Sequence, residues 1–71
     1  MIFFMINLEI LGNILKNKRK ENGYTQKEVA DRLEISLKTI TNIEAGKDFT
    51  VSNLLAYATL LGCYISISEW T

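Results

Sequence analysis

Polar cap residues recur along this chain at intervals that suit short helices. Thr25, Ser36 and Thr50 each stand just before an apolar-periodic segment, as Asn7 does near the start. Their side-chain oxygens can accept the orphan N–H groups of a first helical turn. Gly23, Gly46 and Gly62 stand at the far ends of three segments, where the residue after a helix takes a left-handed conformation. Proline is absent, which favours helices. The spacing predicts helices over residues 7–22, from Thr25 onward, over 37–45 and over 51–61.

Each segment has an apolar face. In the first it is Leu8, Leu11 and Leu15 with Ile14 beside them, followed by Lys16, Lys18, Arg19 and Lys20, cations that suit the negative end of a helix dipole. Such a basic run reads first as a solvated face. In the second, Thr25 and Glu28 form a capping box, Tyr24 and Val29 sit at the positions of a hydrophobic staple, and Val29, Ala30 and Leu33 point inward. The third buries Ile40 and Ile43. The fourth has the stripe Val51, Leu54, Leu55, Ala58 and Leu61, while Ala56, Tyr57 and Leu60 extend the apolar surface around its back. A helix apolar on most sides is buried on most sides, and the expected cover is a second subunit.

After Gly62 the period changes. Residues 64–68 alternate apolar and polar with β-branched side chains, which reads as a short strand. Its backbone groups need a partner, either the symmetry mate, residues 1–6 or another chain. The expected layout is one domain over residues 1–71: an arm or strand at 1–6, a helical core at 7–62 and a strand at 63–70.

Composition narrows the function. With 71 residues the core is small, and folding removes about 60% of the extended chain's surface from water. Eight Lys+Arg balance eight Asp+Glu, so no global field advertises a partner. A lone cysteine, Cys63, allows no intrachain disulfide, and the absence of histidine excludes a Cys/His zinc finger. Cys63 reads as a small apolar filler. Glu28, Asp31 and Glu34 share one helix without a converging polar constellation and read as solubilising charge. No nucleophile–base pair, Gly-rich phosphate loop or metal-ligand spacing is present, so neither an enzyme nor a cofactor is expected. The apolar start has no basic leader and no small-residue cleavage site. Even extended through Leu15 it carries Glu9 and Asn13 and falls short of the ~20 apolar residues that span a bilayer. A cytoplasmic protein is expected.

Residues 26–44 form two short helices joined by a tight turn at 34–36. Ala30 is small where they cross, and Val29, Leu33, Ile35, Ile40 and Ile43 seal the angle between them. That is a helix-turn-helix plan. Its second helix presents Leu37, Lys38, Thr39, Thr41 and Asn42 outward, and a helix fits the major groove with its N-terminal side chains at base edges.

Arg19, the run Gly23, Tyr24, Thr25 and Gln26, then Ala30, Leu33, Ile35, Ser36, Ile40, Ile43, Glu44 and Gly46 resemble the Xre family of helix-turn-helix proteins, which includes the lambda-type repressors and Cro. The likeness spans residues 11–62 and implies a mainly α, four-helix, lambda-repressor-like domain. Glu34 departs from it, standing where the family often has glycine at positive φ, a cost of about 1 kcal/mol.

The resemblance also implies roles. Leu37, Lys38, Thr39, Thr41 and Asn42 match the base-reading face: Lys38 suits guanine acceptors, Asn42 suits adenine, and Leu37 and the threonine methyls suit a thymine methyl. Thr25, Gln26, Ser36 and Lys47 match phosphate contacts, with Gln26 also buttressing the recognition helix. Arg19 and Glu44 match an ion pair tying the first helix to the third. A homodimer is expected through Ala56, Tyr57, Leu60, Tyr64, Ile65, Ile67 and Trp70, reading an inverted repeat in double-stranded DNA. The implied function is a sequence-specific repressor, since no segment to sense a ligand or recruit polymerase is evident. An alternative is an antitoxin that binds a toxin protein and represses its own operon, because residues 61–68 also resemble the dimer strand of HipB-like antitoxins. A pure protein-protein module on the same fold is a third.

Overall fold

The computed structural model describes residues 8–65. Four helices follow one another: α1 Leu8–Glu21, α2 Gln26–Leu33, α3 Leu37–Ala45 and α4 Val51–Leu60. The caps are those the sequence implies. Thr25 Oγ1 accepts from Glu28 N at 3.0 Å and the Glu28 carboxylate accepts from Thr25 N at 2.8 Å, completing the box. Ser36 accepts from Thr39 N at 3.0 Å and Thr50 from Asn53 N at 3.1 Å. Each such cap contributes about 1 kcal/mol.

All four helices also end alike. The residues after them, Gly23, Glu34, Gly46 and Gly62, have φ of 76°, 56°, 72° and 74°. In each case the following N–H closes back on a carbonyl five residues earlier, as in Tyr24 N to Arg19 O at 3.0 Å and Ile35 N to Ala30 O at 3.1 Å. Glu34 therefore keeps the left-handed turn despite its Cβ.

The core consists of Leu15, Val29, Ala30, Ile40, Ile43, Leu54, Tyr57, Ala58 and Leu61, with Leu11, Tyr24, Leu33, Ile35 and Phe49 packed against it. α1 lies across α3 without side-chain spacers. A Cβ on Gly12 would lie 2.4 Å from Glu44 O and 2.5 Å from Ile43 O. One on Gly46 would lie 2.7 Å from Glu9 N. The two glycines let the α1 and α3 backbones touch.

Two helical faces differ from the expected ones. α4 is rotated so that Leu54, Tyr57, Ala58 and Leu61 point inward, while Val51 and Leu55 are exposed. Tyr57 is therefore removed from the expected dimer surface. Its ring fills the core and its hydroxyl donates to the Glu44 carboxylate, which turns that side of α4 inward. In α1 the buried set is Gly12, Leu15 and Arg19, and Leu8 and Ile14 are exposed. Close backbone approach and a buried ion pair, rather than a leucine stripe, choose that face.

No strand forms among the described residues, and Cys63, Tyr64 and Ile65 carry no regular structure. The expected arm at 1–6, the cap at Asn7, and Ile67 and Trp70 lie outside the described residues.

Candidate nucleic-acid interface

α3 is held from beneath by apolar and ionic contacts. Ile40 and Ile43 are buried against the core, and Glu44 is buried with them. Glu44 collects hydrogen bonds from all three other helices. From α1, Arg19 Nε donates to Oε2 at 2.7 Å and Nη2 to Oε1 at 3.3 Å. From α2, Gln26 Nε2 donates to Oε1 at 3.0 Å, and from α4 the Tyr57 hydroxyl donates to Oε2. Arg19 spends Nη1 on Tyr24 O at 2.8 Å, so one guanidinium braces both α3 and the turn before α2.

The electrostatics of this cluster are self-consistent. Burial pushes the Glu44 carboxyl upward, but the bonds from Arg19, Tyr57 and Gln26 and the Arg19 charge outweigh it and hold it below the ordinary carboxylate value. The Arg19 guanidinium is raised by its bond to Glu44, against the cost of burial. The Tyr57 phenol is pushed far up, first by burial and then by the Glu44 carboxylate that accepts its proton. The cluster is thus a carboxylate, a guanidinium and a neutral phenol across the neutral range.

The opposite side of α3 is open. Leu37 is 48% exposed, Lys38 and Thr41 are exposed, and Thr39 and Asn42 are half-buried at the flanks. Thr41 Oγ1 donates to Leu37 O at 3.0 Å, which satisfies its proton within the helix. The Thr39 and Ser36 hydroxyls share a hydrogen bond of 2.8 Å, so both are partly occupied by capping. Ala45 is exposed in the last turn, at helical spacing from Lys38 and Thr41, and was not singled out from the sequence.

Around this face stand the other expected contacts. Thr25 is exposed at the start of α2, Gln26 is half-buried beside it, and Lys47 is exposed just after the C-terminal turn of α3. Within residues 35–47 the only acid is Glu44, and it is neutralised by Arg19. The exposed acids Glu34 and Asp48 flank that segment, so Lys38 and Lys47 act as individual exposed cations on a face without net local charge, in a chain of formal net charge +0. Two cations elsewhere are engaged with acids, Lys27 with Asp31 at 3.1 Å and Lys18 with Glu21 at 3.6 Å. Arg32 stacks over the Tyr24 ring at 5.0 Å. No group of metal-ligating side chains forms among the described residues, and no helix there is long and apolar enough to cross a membrane.

Gln26 buttresses the recognition helix as expected, through Glu44, whereas the sequence reasoning missed Gly12 and the inward role of Tyr57. A glycine inside a helical pattern was the available signal for the first, since it costs about 1 kcal/mol against alanine unless something needs the space.

Two short helices at a tight turn, the second propped from below and bare above, define a helix-turn-helix DNA-binding domain of the Xre type. A helix-turn-helix family model matches residues 15–68, most of the chain, and the protein belongs to that family. By class it is a DNA-binding transcriptional regulator. A search of curated proteins finds no significant match.

Proposed function

We propose that this protein is a dimeric, sequence-specific repressor that lays α3 in the major groove of an inverted-repeat operator. The observation that carries the reading is the contrast between the two sides of α3. Ile40, Ile43 and Glu44 are locked in the core, whereas Leu37, Lys38 and Thr41 are exposed among the described residues. Lys38 then donates to guanine acceptors, Asn42 pairs with adenine, and Leu37 and the Thr41 methyl meet thymine methyls, with Thr39 at the edge. Thr25, Gln26, Ser36 and Lys47 hold phosphates on either side and set the register.

Dimerisation is supported by the outer face of α4. Val51 is 67% exposed, Leu55 45% and Tyr64 88%; on α4 the exposed Ser52 and Thr59 lie beside Leu55, and Ala56 and Leu60 are half-buried on the far flank. Residues 49–68 contain no charged side chain. A charge-free, partly apolar face can meet its own copy across a two-fold axis without like-charge repulsion. Reading an inverted repeat then requires a second copy seated there to put the two α3 helices on half-sites about 34 Å apart.

The test is selection of bound sites from a random duplex pool with the isolated protein. An inverted repeat is the expected product. Equal retention of every duplex, or selected sites without symmetry, would refute the dimeric reading.

A further inference from the structure

The Gln26 side chain carries an observation that the phosphate-contact reading does not use. Its Nε2 donates to Glu44 Oε1 at 3.0 Å, and Glu44 is ionised and can only accept. A primary amide has a donor end and an acceptor end that interconvert by a half-turn. An acceptor-only partner therefore fixes which end faces it. The remaining N–H and the carbonyl oxygen of Gln26 make no hydrogen bond among the described residues, and the residue is half-buried at the first position of α2.

We infer that Glu44 is a positioning residue for DNA binding: it locks the Gln26 amide so that the second N–H is presented to a backbone phosphate. The inference rests on the proposed reading of Gln26 as a phosphate contact. Glu44 itself is buried and touches no nucleic acid. Its four bonds from Arg19, Tyr57 and Gln26 fix the carboxylate in place. A phosphate oxygen, like a carboxylate, only accepts. The turned amide would aim its carbonyl at Glu44 and be repelled there, so the wrong orientation is excluded before DNA arrives. A preset donor avoids the ordering cost that a free glutamine meets on binding.

The experiment uses the tightest duplex from the random-pool selection, with each backbone phosphate replaced in turn by a neutral methylphosphonate. In the wild type each contacted phosphate should show a penalty, and one position per half-site, the one that Gln26 meets at the start of α2, should weaken binding about tenfold, the scale of a hydrogen bond to a charged acceptor. In Gln26→Ala the penalty at that position should shrink to what the neighbouring Thr25 contact alone supplies, while the other positions keep theirs. In Glu44→Gln the new amide can donate to the Gln26 carbonyl, both orientations become available, and the penalty should shrink to about threefold or less. A merely structural role for Glu44 lowers affinity by one factor at every phosphate and leaves the methylphosphonate profile unchanged, which overturns the inference. Because Glu44→Gln leaves Arg19 without its counter-charge and risks unfolding, the wild-type side-chain amide spectrum supplies a second readout. One Gln26 amide proton should be shifted and protected in the free protein, and the other should move when the duplex is added. Two equivalent, unprotected protons in the free protein, or no movement on binding, also overturn it. If no duplex is selected at all, the DNA reading of this face falls with it; selected binding with an unaltered penalty removes only the role of Glu44.

Discussion

Arg19 Nε lies 2.7 Å from Glu44 Oε2 with both side chains buried. A buried ion pair is weak evidence of net stabilisation, because desolvation of two charges offsets their attraction, but removing one partner is costly. What this pair provides is orientation. Arg19 also holds Tyr24 O, and Glu44 also holds Tyr57 and Gln26, so one cluster sets the angle between α3 and the other helices.

The same cluster predicts how stability follows pH. Glu44 titrates below its ordinary value when folded, so its contribution is present above the unfolded carboxylate value, ~4.3, and is lost as pH falls through the folded one. Tyr57 titrates above its ordinary value. Its contribution is complete below about pH 10 and declines as pH rises past it, because the unfolded chain ionises first. Urea midpoints measured against pH should therefore fall on both flanks. Tyr57→Phe should cost about 1–3 kcal/mol at neutral pH and flatten the alkaline flank. An alkaline flank as steep as the wild type's would assign that loss to other groups.

Gly12→Ala should destabilise the protein although alanine is the better helix former. The gain in helix propensity is about 1 kcal/mol. Against it, the new methyl would sit 2.4 Å from Glu44 O and 2.5 Å from Ile43 O, and backbone cannot step aside without moving α3. Overpacking of that kind costs about 1–3 kcal/mol, and contacts this short belong at its upper end, so the net loss should approach about 2 kcal/mol. Chemical denaturation reads it directly. Because α3 moves with the clash, duplex affinity should fall by more than the folded fraction explains.

Glu34→Gly should act in the other direction. Glu34 has φ 56° and is exposed, and its carboxylate makes no hydrogen bond or ion pair among the described residues. Relief of the left-handed Cβ strain, ~1 kcal/mol, exceeds what glycine loses in backbone freedom at a turn position. A rise in urea midpoint worth up to about 0.5 kcal/mol is expected, with duplex affinity unchanged. A fall would mean that Glu34 serves some contact in the native state.

These residues show where sequence reasoning reaches and where it stops. Local chemistry reads well: Thr25, Ser36 and Thr50 are caps in both sequence and structure, and the departure at Glu34 sits at the left-handed position expected of it. The outward face of α3 follows from Ile40 and Ile43 alone, since two inward residues fix the phase of so short a helix. α4 was misjudged because its residues are apolar nearly all round, so hydrophobicity alone leaves its rotation undetermined. Its rotation was decided by a partner distant in sequence, the Glu44 carboxylate that takes the Tyr57 hydroxyl. Gln26 was read as a buttress of the recognition helix and is one, but the residue it meets there, Glu44, 18 positions away, belongs to the tertiary arrangement.

Leu55→Glu should separate the dimer from the fold. Leu55 is 45% exposed on the outer side of α4, so a charge there costs the isolated chain little. In a two-fold interface it would meet its own copy, and two like charges in an apolar contact oppose association. Sedimentation should show a monomer with a helical spectrum like the wild type's. Affinity for a full inverted repeat should fall toward that for a half-site. A variant that remains dimeric would place the interface elsewhere.

Lys38 and Lys47 should fail in different ways, and the difference tests which contacts read sequence. Lys38 is exposed in the first turn of α3, whereas Lys47 is exposed beyond the helix end. Loss of a base contact costs about 1–3 kcal/mol and relaxes preference at one position of the site. Loss of a phosphate contact weakens all duplexes alike and lowers the salt slope of binding by about 1. Lys38→Ala should thus degrade discrimination between the selected site and its single-base variants while random-duplex affinity changes less. Lys47→Ala should leave every ratio intact and flatten the plot of log affinity against log salt. If the two variants gave the same loss of discrimination and the same slope, α3 would not be entering the groove by its N-terminal half.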